Sequence, residues 1–100
     1  MLPIPLDRGR IEAFCRRHAV RRMALFGSVL RKDFRPESDV DVLIEFQPGR
    51  TLGFFRLFDM EDELSTLLGG RRVDLRTPED LSPYFREEVT RSAQLVYDAA

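Results

Sequence analysis

Phe26-Gly27-Ser28-Val29-Leu30-Arg31, a polar loop, and then Ser38-Asp39-Val40-Asp41-Val42-Leu43-Ile44-Glu45-Phe46 form the stretch on which the reading of this chain turns. The apolar run Met23 to Phe26 stops at a Gly-Ser turn, and the next apolar run opens with two aspartates. Strand residues two apart share a face, so Asp39 and Asp41 point the same way, roughly 7 Å apart along the strand. Two carboxylates side by side repel each other, and a divalent cation between them removes the conflict.

Outward from this stretch the elements alternate. Asp7 is placed to cap a first helix over about Arg8 to His18, with Leu6 and Ile11 at the spacing of a hydrophobic staple. Ile11, Phe14, Cys15 and Ala19 recur at helical spacing. His18 falls with Arg16 and Arg17 in the last turn, where cations complement the helix dipole, and is read as structural. Pro3 and Pro5 hold the first residues extended. Val20 to Phe26 reads as a strand covered on both faces, because its inner end is continuously apolar. Gly27 allows a tight turn and close approach of a ligand, and Val29 to Phe34 is expected to form a short helix.

Pro36 breaks the loop before the second strand, Val40 to Phe46, whose Val40, Val42 and Ile44 face one way and Asp41 and Leu43 the other. Gln47-Pro48-Gly49-Arg50 is a turn. Thr51 is placed to cap a helix running to about Leu68, with an acidic group (Asp59, Glu61, Asp62, Glu63) read mostly as solvated surface, and Gly69-Gly70 ends it. Arg71 to Arg76 is a short third strand with Val73 and Leu75 on one face and Asp74 on the other. Thr77-Pro78-Glu79-Asp80 and Ser82-Pro83 are helix starts. The last helix is expected over Pro83 to Tyr97, burying Phe85, Val89, Ala93 and Val96. The result is an α/β fold, a small mixed sheet of three to four strands flanked by helices, with residues 1–100 as one domain.

Composition narrows the function classes. The chain has 100 residues, 43% of them hydrophobic, and a net charge of −1. That balance predicts neither direct nucleic-acid binding nor a membrane partner. Fifteen arginines against the single Lys32 are spread along the chain, as on a solvated surface. Cys15 is alone and sits on the apolar face of the first helix, so no internal disulfide forms and a reducing cytoplasm is expected. No signal-like leader or membrane-spanning run is seen. Neither a Gly-x-Gly-x-x-Gly nor a phosphate loop ending in Gly-Lys-Ser/Thr occurs.

What remains is a Gly-Ser turn, an Asp-x-Asp strand and one aspartate on a later strand. Three carboxylates on strands beside an anion-binding turn suit metal-assisted phosphoryl or nucleotidyl transfer. Mg²⁺ takes oxygen ligands, usually one or two carboxylates plus substrate phosphates. Two such ions about 4 Å apart stabilise both the attacking and the leaving oxygen. Asp39 and Asp41 would hold metal against a triphosphate, and Asp74 would serve as a ligand or as the base that accepts the attacking hydroxyl's proton. Ser28 and the Gly27 and Ser28 backbone N–H groups would cradle phosphate oxygens.

These residues resemble the signature of the DNA polymerase β nucleotidyltransferase superfamily, and the whole length resembles its minimal nucleotidyltransferases. The resemblance implies that fold, with Asp39, Asp41 and Asp74 as the catalytic, metal-binding carboxylates and Gly27, Ser28 and Arg31 contacting the nucleotide. Leu30 and Lys32 depart from the common Gly-Ser-x-Ala-Arg-Gly form. The resemblance further implies an antitoxin that transfers AMP from ATP, with Mg²⁺, to a tyrosine of a helical HEPN RNase toxin, forming a hetero-oligomer with it. The alternatives are an antitoxin that neutralises its toxin by binding alone, and a small regulatory domain whose aspartates only cap turns. The Phe54/Phe55/Phe58 patch and Val96/Tyr97 are candidate contact surfaces whose simpler reading is core.

Overall fold

In a computed structural model, the protein is described over residues 4, 6–31, 34–35, 37–49 and 54–99, with the side chains of 54–56 outside the description. The readings placed on Pro3, Pro5, Lys32, Pro36, Arg50, Thr51 and the Phe54 and Phe55 side chains lie outside the described residues.

The sheet is built from β1 (Val20–Phe26), β2 (Val40–Phe46), β3 (Val73–Arg76) and β4 (Gln94–Asp98), in the order β3-β2-β1-β4. β1 lies antiparallel to both β2 and β4, while β3 runs parallel to β2, making the sheet mixed. A parallel neighbour requires a crossover, and α2 (Phe54–Leu67) supplies it.

One face of the sheet carries the main core. The period-two pattern of β2 places Val40, Val42 and Ile44 there, all but fully buried. They meet Met23 and Leu25 of β1, Val73 and Leu75 of β3, Met60 and Leu64 of α2, and Ile11, Phe14 and Cys15 of α1 (Arg8–Arg17). Asp7 caps α1 by accepting the Arg10 N–H at 3.1 Å. An irregular register between Val20 and Arg22 lets Val20 and Met23, an odd number apart, both reach this core. On the opposite face Phe26 and Leu43 pack against Leu81 and Val89, the latter from α3 (Pro83–Ser92). The continuous apolar run of β1 is therefore covered on both sides, as its sequence predicts.

The acidic group on α2 is only partly solvated surface. Glu61 accepts the Leu75 N–H at 2.8 Å, satisfying a donor on the outer edge of β3. Glu63 pairs with Arg17 and with His18, whose Nε2 lies 2.9 Å from Oε1. His18 caps α1 and packs on the Phe14 ring, so it is structural. Gly69 and Gly70, both with positive φ, terminate α2, and the Gly70 N–H donates to the Ser65 carbonyl at 2.8 Å.

Three expectations are corrected. The final helix does not run to Tyr97: α3 stops at Ser92 and residues Gln94–Asp98 form β4. Val89, Ala93 and Val96 share helical spacing, but the open edge of β1 takes Leu95-Val96-Tyr97 as a strand, and Ala99 extends the pairing through its N–H to Arg21. Val96 and Tyr97 pack on the main core from that edge, and Phe85, expected to be buried, is exposed. The short helix expected over Val29 to Phe34 is a single 3-10 turn, Gly27–Leu30, closed by the Arg31 N–H to Ser28 at 2.9 Å. Among the described residues no helix is long and apolar enough to cross a membrane.

Candidate active site

The parallel pairing of β2 and β3 sets Asp41 directly beside Asp74, and the antiparallel pairing of β1 and β2 sets Asp41 beside Phe26, the residue before the Gly-Ser turn. Sheet register alone thus joins three separate segments. Gly27, Ser28, Arg31, Asp41 and Asp74 line one open cleft of about 490 Å³. Arg76, Asp80, Leu81, Ser82 and Phe85 complete the lining.

Gly27 has φ +77°, a left-handed conformation, and a Cβ there would run into the Asp41 carboxylate. Glycine is required both for the turn and for this close approach. The Ser28 hydroxyl donates to the Asp39 carbonyl at 3.2 Å, tying the turn to the entry of β2.

Asp39 differs from the other sequence-predicted residues. It precedes β2, does not line the cleft, and its carboxylate lies 3.8 Å from the Arg72 guanidinium. Asp74 is held by Arg76, whose Nη2 and Nε lie 3.2 and 3.4 Å from the same oxygen, Oδ2. Arg76 was not singled out as a site residue by the sequence. Its place two residues after Asp74 on a strand, on the same face, is the signal that would have found it.

The electrostatics follow from this crowding. Asp41's carboxyl is raised above its usual value by burial first, then by the negative charges of Asp74 and Asp39, with Arg76 and Arg31 acting in the opposite direction. Among the described residues no three acidic, histidine or cysteine side chains converge into a metal-binding cluster. The donor set still fits a hard cation that takes part of its coordination from substrate. Hard carboxylate oxygens gather around Asp41 with their repulsion only partly offset, and Mg²⁺ typically takes one or two carboxylates plus phosphate oxygens. The cleft therefore pairs acidic groups with two arginines, Arg31 and Arg76, and a backbone turn suited to anions.

A mixed sheet with a Gly-Ser turn facing paired strand aspartates is the arrangement of a nucleotidyltransferase. The chain belongs to the nucleotidyltransferase domain family, whose model matches residues 8–96. Over 81 residues it is 35% identical to the protein adenylyltransferase MntA of Thermococcus cleftensis, covering 81% of this chain and 77% of that protein. A solved structure assigned as a minimal nucleotidyltransferase superposes with TM-score 0.70 at 38% identity, covering 86% of this chain and 85% of the other. A complex of the tri-AMPylated Shewanella oneidensis HEPN toxin with its MNT antitoxin contains a chain that matches at TM-score 0.65 and 19% identity, covering 92% and 70%, a likeness of fold.

Proposed function

We propose that this protein is an antitoxin enzyme that transfers AMP from ATP to a tyrosine hydroxyl of a HEPN-type toxin. The observation that carries the reading is the Asp41–Asp74 register pair facing the Gly27-Ser28 turn in one cleft. Kinship with a protein adenylyltransferase supports the reaction, and the fold shared with an antitoxin bound to an AMPylated toxin supports the acceptor.

In this reading Gly27 and Ser28 present backbone N–H groups to the triphosphate, and Arg31 neutralises part of its charge. Asp41, Asp74 and, from the rim, Asp39 would hold Mg²⁺. When bound, the metal neutralises phosphate charge and makes the α-phosphorus more electrophilic. The acceptor phenol oxygen forms a bond to the α-phosphorus as the bond to the β-phosphate oxygen breaks, releasing pyrophosphate. In this reading Asp74 would accept the phenol proton or ligate metal, with Arg76 fixing one of its oxygens. The product carries an added phosphodiester charge, which disables a site built to bind RNA phosphates.

Intact mass of the co-encoded toxin after incubation with ATP and Mg²⁺ tests this. Addition of AMP by the parent protein, and none by Asp41→Asn, is expected. Neutralisation of the toxin by Asp41→Asn as effectively as by the parent would instead establish inhibition by binding alone.

A further inference from the structure

The cleft has two chemical halves. Gly27, Ser28, Arg31, Asp41, Asp74 and Arg76 form a polar half suited to phosphates and metal. The half formed by the segment from Asp80 into α3 offers one open apolar plane. Among the described residues two aromatic rings line the cleft, Phe26 at 6% exposure and Phe85 at 45%. Phe26 is committed to packing against Leu43, Leu81 and Val89. Among the described residues only Phe85 presents a ring to whatever enters.

The backbone that carries Phe85 is fixed. Ser82 caps α3 by accepting the Phe85 N–H at 3.3 Å, and Pro83 occupies the first helical position. Arg86 ties the helix start back to the preceding segment, with Nε donating to the Pro78 carbonyl at 2.6 Å and Nη2 to the Leu81 carbonyl at 3.1 Å. The Arg86 N–H also reaches the Ser82 carbonyl at 2.7 Å. An aromatic ring half-exposed on a backbone tied at this many points is a preorganised contact surface, because little freedom is lost when a ligand meets it.

We infer that Phe85 is the platform on which the base of the donor nucleotide stacks. The inference rests on the nucleotide-transfer reading and adds the base subsite to it. A nucleotide anchored by its phosphates on the Gly27-Ser28 side carries a flat π-face, and Phe85 is the one open ring among the described residues of the same cleft. Base–aromatic stacking tolerates any base, so the platform supplies affinity rather than discrimination. Removing such a ring weakens binding roughly 5- to 150-fold.

The test compares ATP with inorganic tripolyphosphate, which keeps the charge and lacks the base. Binding of each, with Mg²⁺, is measured by calorimetry for the parent, Phe85→Leu and Phe85→Tyr. Phe85→Leu is expected to lose ATP affinity by that factor and to keep tripolyphosphate affinity, while Phe85→Tyr retains both. Since the chain has no tryptophan, Phe85→Trp adds a sole indole reporter, whose fluorescence ATP should quench and tripolyphosphate should not. Unchanged ATP binding in Phe85→Leu overturns the inference, as does equal loss of both ligands. A parent that binds ATP through Phe85 but transfers nothing to the toxin overturns the functional reading and leaves the platform standing. A parent that binds neither ligand overturns both.

Discussion

The Asp41 carboxylate fills the space that a side chain on Gly27 would need: a Cβ built there overlaps it, reaching 3.2 Å from its Cγ. The turn and the carboxylate are therefore a single fitted unit, although they come from different strands. Gly27→Ala has two consequences. The left-handed backbone costs an L residue roughly 1–2 kcal/mol, and Asp41 must move. For a chain this size the first effect lowers the melting temperature by several degrees, about 4–8 °C per kcal/mol. The second is expected to abolish the rise in melting temperature that ATP and Mg²⁺ should give the parent. A variant that melts earlier but still responds fully to ATP would show that the close approach does not matter to the site.

Asp41 also makes the nucleotide-free protein sensitive to pH. Burial, then Asp74 and Asp39, raise its carboxyl above the usual 3.8 in the folded state. A group that holds its proton more tightly folded than unfolded removes stability as pH rises. The loss begins near 3.8 and is complete once pH exceeds the folded value. Asp41→Asn cannot ionise, so without ligand it should be more stable than the parent at pH 7. Its advantage should shrink as pH falls toward 3.8. Urea unfolding of both proteins at pH 4, 5 and 7 measures this, and an advantage independent of pH would contradict it. The same variant should lose AMP transfer.

The central stretch was legible because it is local: alternation in Val40 to Phe46 and the Gly27-Ser28 stop to β1 depend on neighbours in sequence. Asp74 was legible because Val73 and Leu75 flank it with strand alternation. The C-terminal segment was not. Val89, Ala93 and Val96 fit a helix, and only the open edge of β1, a distant partner, makes 94–98 a strand. Asp39's turn toward Arg72, and the arrival of Arg76 and Phe85 in the cleft, likewise depend on side-chain placement and on the packing of α3. Of these only Arg76 leaves a mark on local spacing, two residues after Asp74 on the same strand.

Glu61 closes a sheet edge that would otherwise be open. β3 pairs with β2 on one side only, and on the other the Leu75 N–H donates to the Glu61 carboxylate at 2.8 Å. Glu61→Ala leaves that donor without its acceptor and should cost about 1–3 kcal/mol, the range for an unsatisfied buried group. Glu61→Gln keeps an acceptor oxygen and should cost less. Because β3 carries Asp74, Glu61→Ala should also speed amide exchange at Leu75, which hydrogen exchange reads directly. Equal stability of the two variants would mean that the bond contributes nothing.

Cys15 is fully buried against the core, and burial, aided by Glu12, pushes its thiol up to about 12. The thiolate is the reactive form, so at pH 8 the folded protein should resist iodoacetamide and label only as fast as it unfolds. Labelling followed by mass spectrometry across a urea series should track the unfolding curve, and fast modification of the folded protein would refute the burial.

Arg76 places both of its contacts on Oδ2 of Asp74, which leaves Oδ1 for metal or for the acceptor proton. Its role is to position Asp74, so Arg76→Met should lower AMP transfer roughly 10- to 100-fold, the scale seen when a partner of a metal ligand is removed. Arg76→Lys keeps the charge without the planar fork and should fall between the two. Mn²⁺ binding followed by electron paramagnetic resonance, without ATP or acceptor, separates positioning from damage to the fold. Arg76→Met should change Mn²⁺ affinity while melting close to the parent temperature. A variant that transfers AMP at the parent rate would show that Asp74 needs no such anchor.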